Sequence, residues 1–180
     1  MSLNDSIKQN IKECSWTLIE SIGVSEEGIS LIAKAILQLP KNGRNVIVFG
    51  SDEDSALEAK NFFSKITCLS SEGNTIMGFW LRENASFEEE LSVLVHSFAK
   101  PEDIVIAISR CEKSKNTLLA INSACTIGCH VWHLTGEDNT VKHHINCTVL
   151  NVPSTDHLRI KITHAVWLDT IYKCVCEGLV

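Results

Sequence analysis

The chain has 180 residues, 44% of them hydrophobic, and its formal net charge is −6. This length suits one domain with a single core, and the hydrophobic content is typical of a globular protein rather than a disordered one. An acidic chain lacks the basic surface that nucleic-acid binding requires. No apolar run approaches the roughly 20 residues that cross a bilayer. We therefore expect a cytoplasmic protein that binds neither nucleic acid directly nor a membrane.

The first 42 residues have the pattern of two helices. Apolar residues recur at i, i+4, i+7 and i+11 from Ile7 to Leu18, which predicts a helix with one apolar stripe. Ser25, followed by two glutamates, is typical of the start of a second helix that ends before Pro40. A minimal α/β domain does not need this helical pair. We therefore expect residues 1–42 to serve in oligomerisation.

From residue 43 onwards, apolar strands alternate with amphipathic helices. This order is typical of a parallel sheet covered on both faces. We predict a single α/β domain over 1–180, in which two extra N-terminal helices precede an α/β core at 43–180. That core is a three-layer, doubly wound, flavodoxin-like five-stranded parallel sheet. The predicted strands are 45–49, 75–81, 104–108, 130–134 and 145–152, and the predicted helices are 55–66, 87–98, 114–127 and about 156–177.

Two loops of this predicted sheet are candidates for a ligand site. One follows the first strand at 50–55, and the other follows the third strand at 109–114. Ligands of such sheets bind beyond the carboxyl ends of the strands, near the point where the strand order reverses. Hydroxyls and free backbone N–H groups at a helix N-terminus hold anions such as phosphate. The sequence therefore predicts an anion site where the two loops lie side by side.

Four segments of the chain resemble the sugar isomerase (SIS) domain family. The 109–114 loop stands where that family typically has Ser-Thr-Ser-Gly-Asn-Ser, and Leu-Thr-Gly follows the next helix. The 50–66 stretch is similar to the family's glycine-rich turn and helix, with one inserted residue before Ser55. Segments 84–91 and 160–164 also match. The chain looks most like the branch that contains phosphoheptose isomerases and the DnaA initiator-associating proteins.

The resemblance implies a site for a phosphorylated sugar or another anionic metabolite. Its ligands would be Ser55, Ser109, Arg110 and Ser114, with Arg110 standing where the family has threonine. Acids occupy 52–54, where the family's turn is rich in glycine.

These acids bring negative charge towards a negative ligand. If the two loops adjoin, Asp52, Glu53 or Asp54 could pair with Arg110 or Lys113. The protein would then supply its own anion where a substrate phosphate would sit. The other interpretation is that acids at a helix N-terminus simply complement the helix dipole.

The resemblance also implies a weakened proton-transfer site. A ketose–aldose isomerase needs a carboxylate base and an acid, and phosphoheptose isomerases commonly add a metal held by His, Glu, Gln and His. In this chain the first His of that set is Asn61, the Glu is Lys65 and the Gln is Asp156. The last His is kept as His164. The ammonium group of Lys65 would repel Zn²⁺, so we expect neither zinc nor another cofactor.

Asp156 as base and His164 as acid are the remaining candidates for catalytic residues. They lie eight residues apart, or about 12 Å along one helix, and cannot pair directly. A structural role in the core is the other interpretation of His164.

A second metal-like cluster contains Cys125, Cys129, His130 and His133. It straddles a predicted helix end and a strand. We therefore expect its side chains to diverge and to bind no metal.

Three functions are consistent with these residues. The favoured one is a catalytically impaired phosphosugar-binding protein that acts as a binding or regulatory subunit. The second is an active sedoheptulose 7-phosphate isomerase with a rearranged site. The third is an adaptor with a protein partner, similar to the initiator-associating proteins. The family resemblance implies a homotetramer with pockets at subunit boundaries, and a heteromer with an intact isomerase is a further alternative.

Overall fold

The computed structural model describes residues 3–39, 43–50, 52–69, 75–80, 89–111, 114–137 and 146–178. Helices and strands alternate through this part of the chain after one long N-terminal helix. The elements in chain order are α1 (Leu3–Leu37), β1 (Val46–Gly50), α2 (Glu53–Ile66), a 3₁₀ turn (Thr67–Leu69), β2 (Ile76–Trp80), α3 (Glu90–Phe98), β3 (Ile104–Ile108), α4 (Lys115–Ile127), β4 (His130–Gly136), β5 (Cys147–Val152) and α5 (His157–Glu177).

All five strands are parallel, and their order in the sheet is β2-β1-β3-β4-β5. Every residue of β1 and β3 is buried, which explains why both strands are uninterrupted apolar runs. The chain leaves β1 towards one edge and returns at β3 on the other side of β1. The strand order therefore reverses between β1 and β3, and the carboxyl ends of these two strands frame the place where ligands of such sheets bind.

Two hydrophobic clusters cover the two faces of the sheet. One joins α1, α2 and α5 to strand residues such as Val48 and Ile106, and the other joins α3 and α4 to residues such as Ile47 and Val105. Alternate residues of one strand thus belong to opposite clusters, as the pleat of a strand requires. The predicted fold class, a three-layer α/β sheet with helices on both faces, is confirmed.

The N-terminal segment differs from the expected helical pair, because residues 3–37 form one continuous helix. The Ser25 hydroxyl donates a 2.6 Å hydrogen bond to the backbone carbonyl of Ser21, one turn earlier. A serine bonded in this way sits inside a helix and does not cap a new one. Among the described residues, no helix combines the length and apolar composition needed to span a bilayer.

Element ends differ from the predictions by a few residues. The helix α2 begins at Glu53 rather than residue 55, and β4 continues to Gly136. The predicted ends at 81, 87 and 145 lie outside the described residues.

Candidate anion and proton-transfer site

The two candidate loops adjoin at the carboxyl edge of the sheet, as predicted. Gly50 at the end of β1 is in register with Ile108 at the end of β3, so the residues that follow each strand are neighbours. The Nε atom of Arg110 lies 3.0 Å from Oδ1 of Asp52, and its Nη1 lies 3.7 Å from Oδ2 of Asp54. The expected pairing of loop acids with Arg110 is confirmed. Lys113 lies outside the described residues.

Two residues of the α5 N-terminal half join this ion-pair network. The Lys161 ammonium donates a 2.8 Å hydrogen bond to Oδ1 of Asp54, and Nδ1 of His157 lies 3.3 Å from Nη1 of Arg110. The hydrogen bond from Lys161 lowers the pKa of Asp54, and the positive charges of Lys161 and Arg110 lower it further. The Asp54 carboxylate in turn raises the pKa of Lys161. Asp54 is therefore a carboxylate at neutral pH.

Ser55 belongs to the cap of α2 and does not face an open pocket. Its backbone N–H donates to Oδ1 of Asp52 at 3.0 Å, and its hydroxyl donates to Oδ2 at 2.7 Å. The Asp52 backbone N–H donates back to the Ser55 hydroxyl at 3.1 Å, which completes a capping box. Only 1% of Ser55 is exposed. Its hydroxyl stabilises the helix start rather than standing ready for a phosphate.

Ser114 and Asp156 cap the helices that follow them. The Ser114 hydroxyl oxygen accepts from the backbone N–H and the hydroxyl of Thr117 at the start of α4. Oδ1 of Asp156 accepts from the backbone N–H of Arg159 at 3.0 Å at the start of α5. Both side chains occupy the N-cap position that such residues favour.

Ser109 lies below the rim, in the buried interior between β3 and β4. Its hydroxyl donates to Oγ1 of Thr135 at 3.2 Å and lies 2.8 Å from Nε2 of His133. Ser109 is 1% exposed. Of the four residues predicted to bind phosphate, Arg110 alone presents a charged group at the rim.

His164 is paired, but with a residue that the sequence analysis did not select. Its Nδ1 lies 3.0 Å from Oε2 of Glu58 on α2, and both side chains are buried. Among the described residues, nothing hydrogen-bonds its Nε2 atom. Asp156 caps the start of α5, two helical turns away, so the structure does not bring the two predicted catalytic residues together. Glu58 lies four residues before Phe62 and eight before Ile66 on the buried face of α2, and this helical spacing was the available signal for its burial.

Lys65 pairs with Asp169 across the α2–α5 interface, and both side chains are partly exposed. The pair borders a groove of about 240 Å³. Residues of both helices line this groove: Glu58, Asn61, Phe62, Lys65, Leu168 and Asp169. The position that would hold the family's glutamate thus carries an ammonium group whose partner is a carboxylate of the same chain.

The four side chains of the Cys/His cluster lie in different environments. Cys125 and Cys129 belong to the hydrophobic cluster on the α4 face, and burial raises the pKa of Cys129 to about 12. His130 lies 3.4 Å from a carboxylate oxygen of Glu102 at the opposite edge, whereas His133 contacts the buried Ser109. Within the described ranges, no three His, Cys, Asp or Glu side chains are grouped as a metal site requires. The absence of a cofactor stays a prediction.

Comparison with known proteins identifies relatives over nearly the whole chain. No family model matches. The chain is 30% identical to a probable phosphoheptose isomerase of Thermoplasma acidophilum over 144 residues, which are 74% of this chain and 79% of the relative. It is 27% identical to the phosphoheptose isomerase of Campylobacter concisus over 187 residues, which are 98% of each chain.

Solved structures have the same fold. The phosphoheptose isomerase of Neisseria gonorrhoeae superposes with a TM-score of 0.83 at 21% identity, over 98% of this chain and 100% of that one. An Escherichia coli protein in complex with a phosphosugar superposes with a TM-score of 0.61 at 16% identity, over 99% and 94% of the two chains. The fold agrees with that of these solved structures, and the sequence identity to the Thermoplasma acidophilum relative extends over about three quarters of the chain. The chain therefore belongs to the phosphoheptose isomerase-like family of SIS-domain proteins.

Proposed function

We propose that this protein binds an anionic sugar phosphate but is impaired as an isomerase, and that it acts as a binding or regulatory subunit. The observation that carries the proposal is the ion pair between Lys65 and Asp169. A protonated amine has no lone pair with which to take a proton from a sugar carbon. The base that aldose–ketose isomerisation requires is therefore missing at this position.

Two observations support the ligand class. The chain is a relative of phosphoheptose isomerases, and one protein of the same fold is known in complex with a phosphosugar. Arg110 provides a guanidinium at the strand ends, and this group matches phosphate geometry.

Turnover of sedoheptulose 7-phosphate tests the impairment. We expect a rate at least about 100-fold below that of the Campylobacter concisus relative in the same assay, because loss of a general base typically costs 10²–10⁴-fold. Added zinc should leave the rate unchanged, since Lys65 stands where a metal-binding carboxylate would be needed. Turnover comparable to that of the relative, with or without zinc, would show that the site works.

The buried Glu58–His164 pair favours a second candidate, an active isomerase with a rearranged site. A carboxylate and an imidazole 3.0 Å apart next to a groove are the kinds of group that move protons in isomerases. If turnover is found, Glu58→Gln should abolish it, whereas Asp156→Asn should leave it intact because Asp156 caps α5 away from the groove.

The proposed assembly is a homotetramer built through α1. Large apolar residues such as Ile11, Ile19 and Ile22 lie half-exposed or more on this helix. Beside it, a groove of about 480 Å³ runs along the surface where α1 packs on α5 and is lined by residues such as Ile22 and Trp167. Exposed apolar area of this extent is typical of a subunit interface.

Substitution of this surface should dissociate the assembly. We expect Ile11→Asp with Ile22→Asp to lower the mass measured by light scattering from four times the 19.9 kDa chain mass to a smaller species, since buried charge is costly in an apolar interface. Val93→Asp is the control, because Val93 is as exposed as Ile22 but lies on α3. A parent protein that elutes as a monomer contradicts the assembly.

A further inference from the structure

We infer that Arg110 and Lys161 form a phosphate site which the Asp54 carboxylate occupies from within the chain, so that an anionic ligand binds there by displacing Asp54. This inference rests on the proposed function, since it takes an anionic sugar phosphate as the ligand. It adds Lys161 as a second cation of that site and Asp54 as the residue that competes with the phosphate group.

The two cations come from different elements and converge on one carboxylate. Arg110 follows β3, and Lys161 lies in the second turn of α5. Their nitrogen atoms lie 3.7 Å and 2.8 Å from the two oxygen atoms of Asp54. A guanidinium and an ammonium that share one anion are a typical arrangement for phosphate recognition. The Asp54 carboxylate therefore stands in for two oxygen atoms of a phosphate.

Asp52 and Asp54 have different roles although both contact Arg110. Asp52 holds the start of α2, because both of its carboxylate oxygens bond to Ser55. The contacts found for the Asp54 side chain are with Lys161 and Arg110, and it bonds to no backbone group within the described structure. Asp54 can therefore turn away or be replaced without loss of the helix cap.

The negative charge of Asp54 lowers the affinity of the site for a phosphate group. Asp52 and Asp54 together neutralise Arg110 and Lys161, so an incoming phosphate meets no excess positive charge. The lowered pKa of Asp54 keeps it ionised near neutral pH. About a third of its side chain is exposed. Ion pairs this exposed are weak, and a ligand can therefore displace them.

Calorimetric titration with inorganic phosphate and with sedoheptulose 7-phosphate tests the inference. We expect Asp54→Asn to bind both anions about tenfold or more tightly than the parent protein, because a like charge beside the ligand is removed. Adding Lys161→Gln to Asp54→Asn should return the affinity to the parental range. The matched control is Glu102→Gln, which also removes one negative charge from an ion pair, here with Arg44 at the opposite edge of the sheet, and should change affinity by less than about twofold.

Two results would overturn the inference. One is an Asp54→Asn protein that binds phosphate no more tightly than the parent, and the other is an equal gain in Glu102→Gln, which would indicate a general effect of net charge. Asp54→Ala, with circular dichroism as a check of folding, provides the same comparison if the asparagine variant is not folded. Neither result bears on turnover, so the inference can fail while the impaired isomerase stands.

Discussion

Glu58→Ala should destabilise the protein by about 3–5 kcal/mol, the range found when one partner of a buried pair is removed. Glu58 and His164 are both buried, and the imidazole Nδ1 has Glu58 as its hydrogen-bond partner. Alanine would leave a buried polar ring without that bond and open a cavity beside it. Urea unfolding followed by circular dichroism measures the difference in free energy of unfolding.

The matched variant is Glu58→Gln, which keeps a side-chain oxygen at the same place. We expect it to cost about 1 kcal/mol, the net worth of a typical hydrogen bond. Asp169→Ala tests a partly exposed pair on the same interface and should cost less than about 1 kcal/mol. Equal losses in the two Glu58 variants would mean that packing, and not the contact with His164, holds this part of the core.

The fold was predictable because its signals are repeated and mutually consistent. Each central strand is an apolar run bounded by polar residues, and burial on both faces of a parallel sheet produces this pattern. The N-terminal helix was harder to predict, since Ser25 with its following acids has the sequence of a cap. In the structure the Ser25 hydroxyl instead donates to a backbone carbonyl one turn earlier in the same helix, and the helix continues through Ser25.

The site was predictable in its position but not in the roles of its residues. The strand order placed the two loops together, and opposite charges at 52–54 and Arg110 then made an ion pair the expected result. Serine and aspartate, however, serve equally well as helix caps and as ligands. Ser55 and Asp156 prove to be part of caps. The partner of His164 comes from a distant helix, and a lone sequence contains no direct signal for such a contact.

Gly50→Ala should be the most damaging single-methyl addition at this edge of the sheet. A Cβ atom at Gly50 would lie 2.3 Å from the backbone carbon and oxygen of Ser55 and 2.7 Å from the nitrogen of Ala56. These are backbone atoms of the first turn of α2, so no side chain can rotate to relieve the overlap. We expect a loss at or above the upper end of the about 1–3 kcal/mol typical of overpacking.

The control is the same substitution at Gly23 in the middle of α1, where a Cβ would meet nothing within 4 Å. Gly23→Ala should stabilise the protein by about 0.5–1 kcal/mol, because alanine loses less conformational freedom in a helix. Thermal unfolding of the two variants should therefore shift in opposite directions. Because the clash would push the first turn of α2 away from β1, Gly50→Ala should also separate Asp52 from Arg110. A Gly50→Ala protein as stable as the parent would show that the end of β1 and the start of α2 are not as close as their backbone contact indicates.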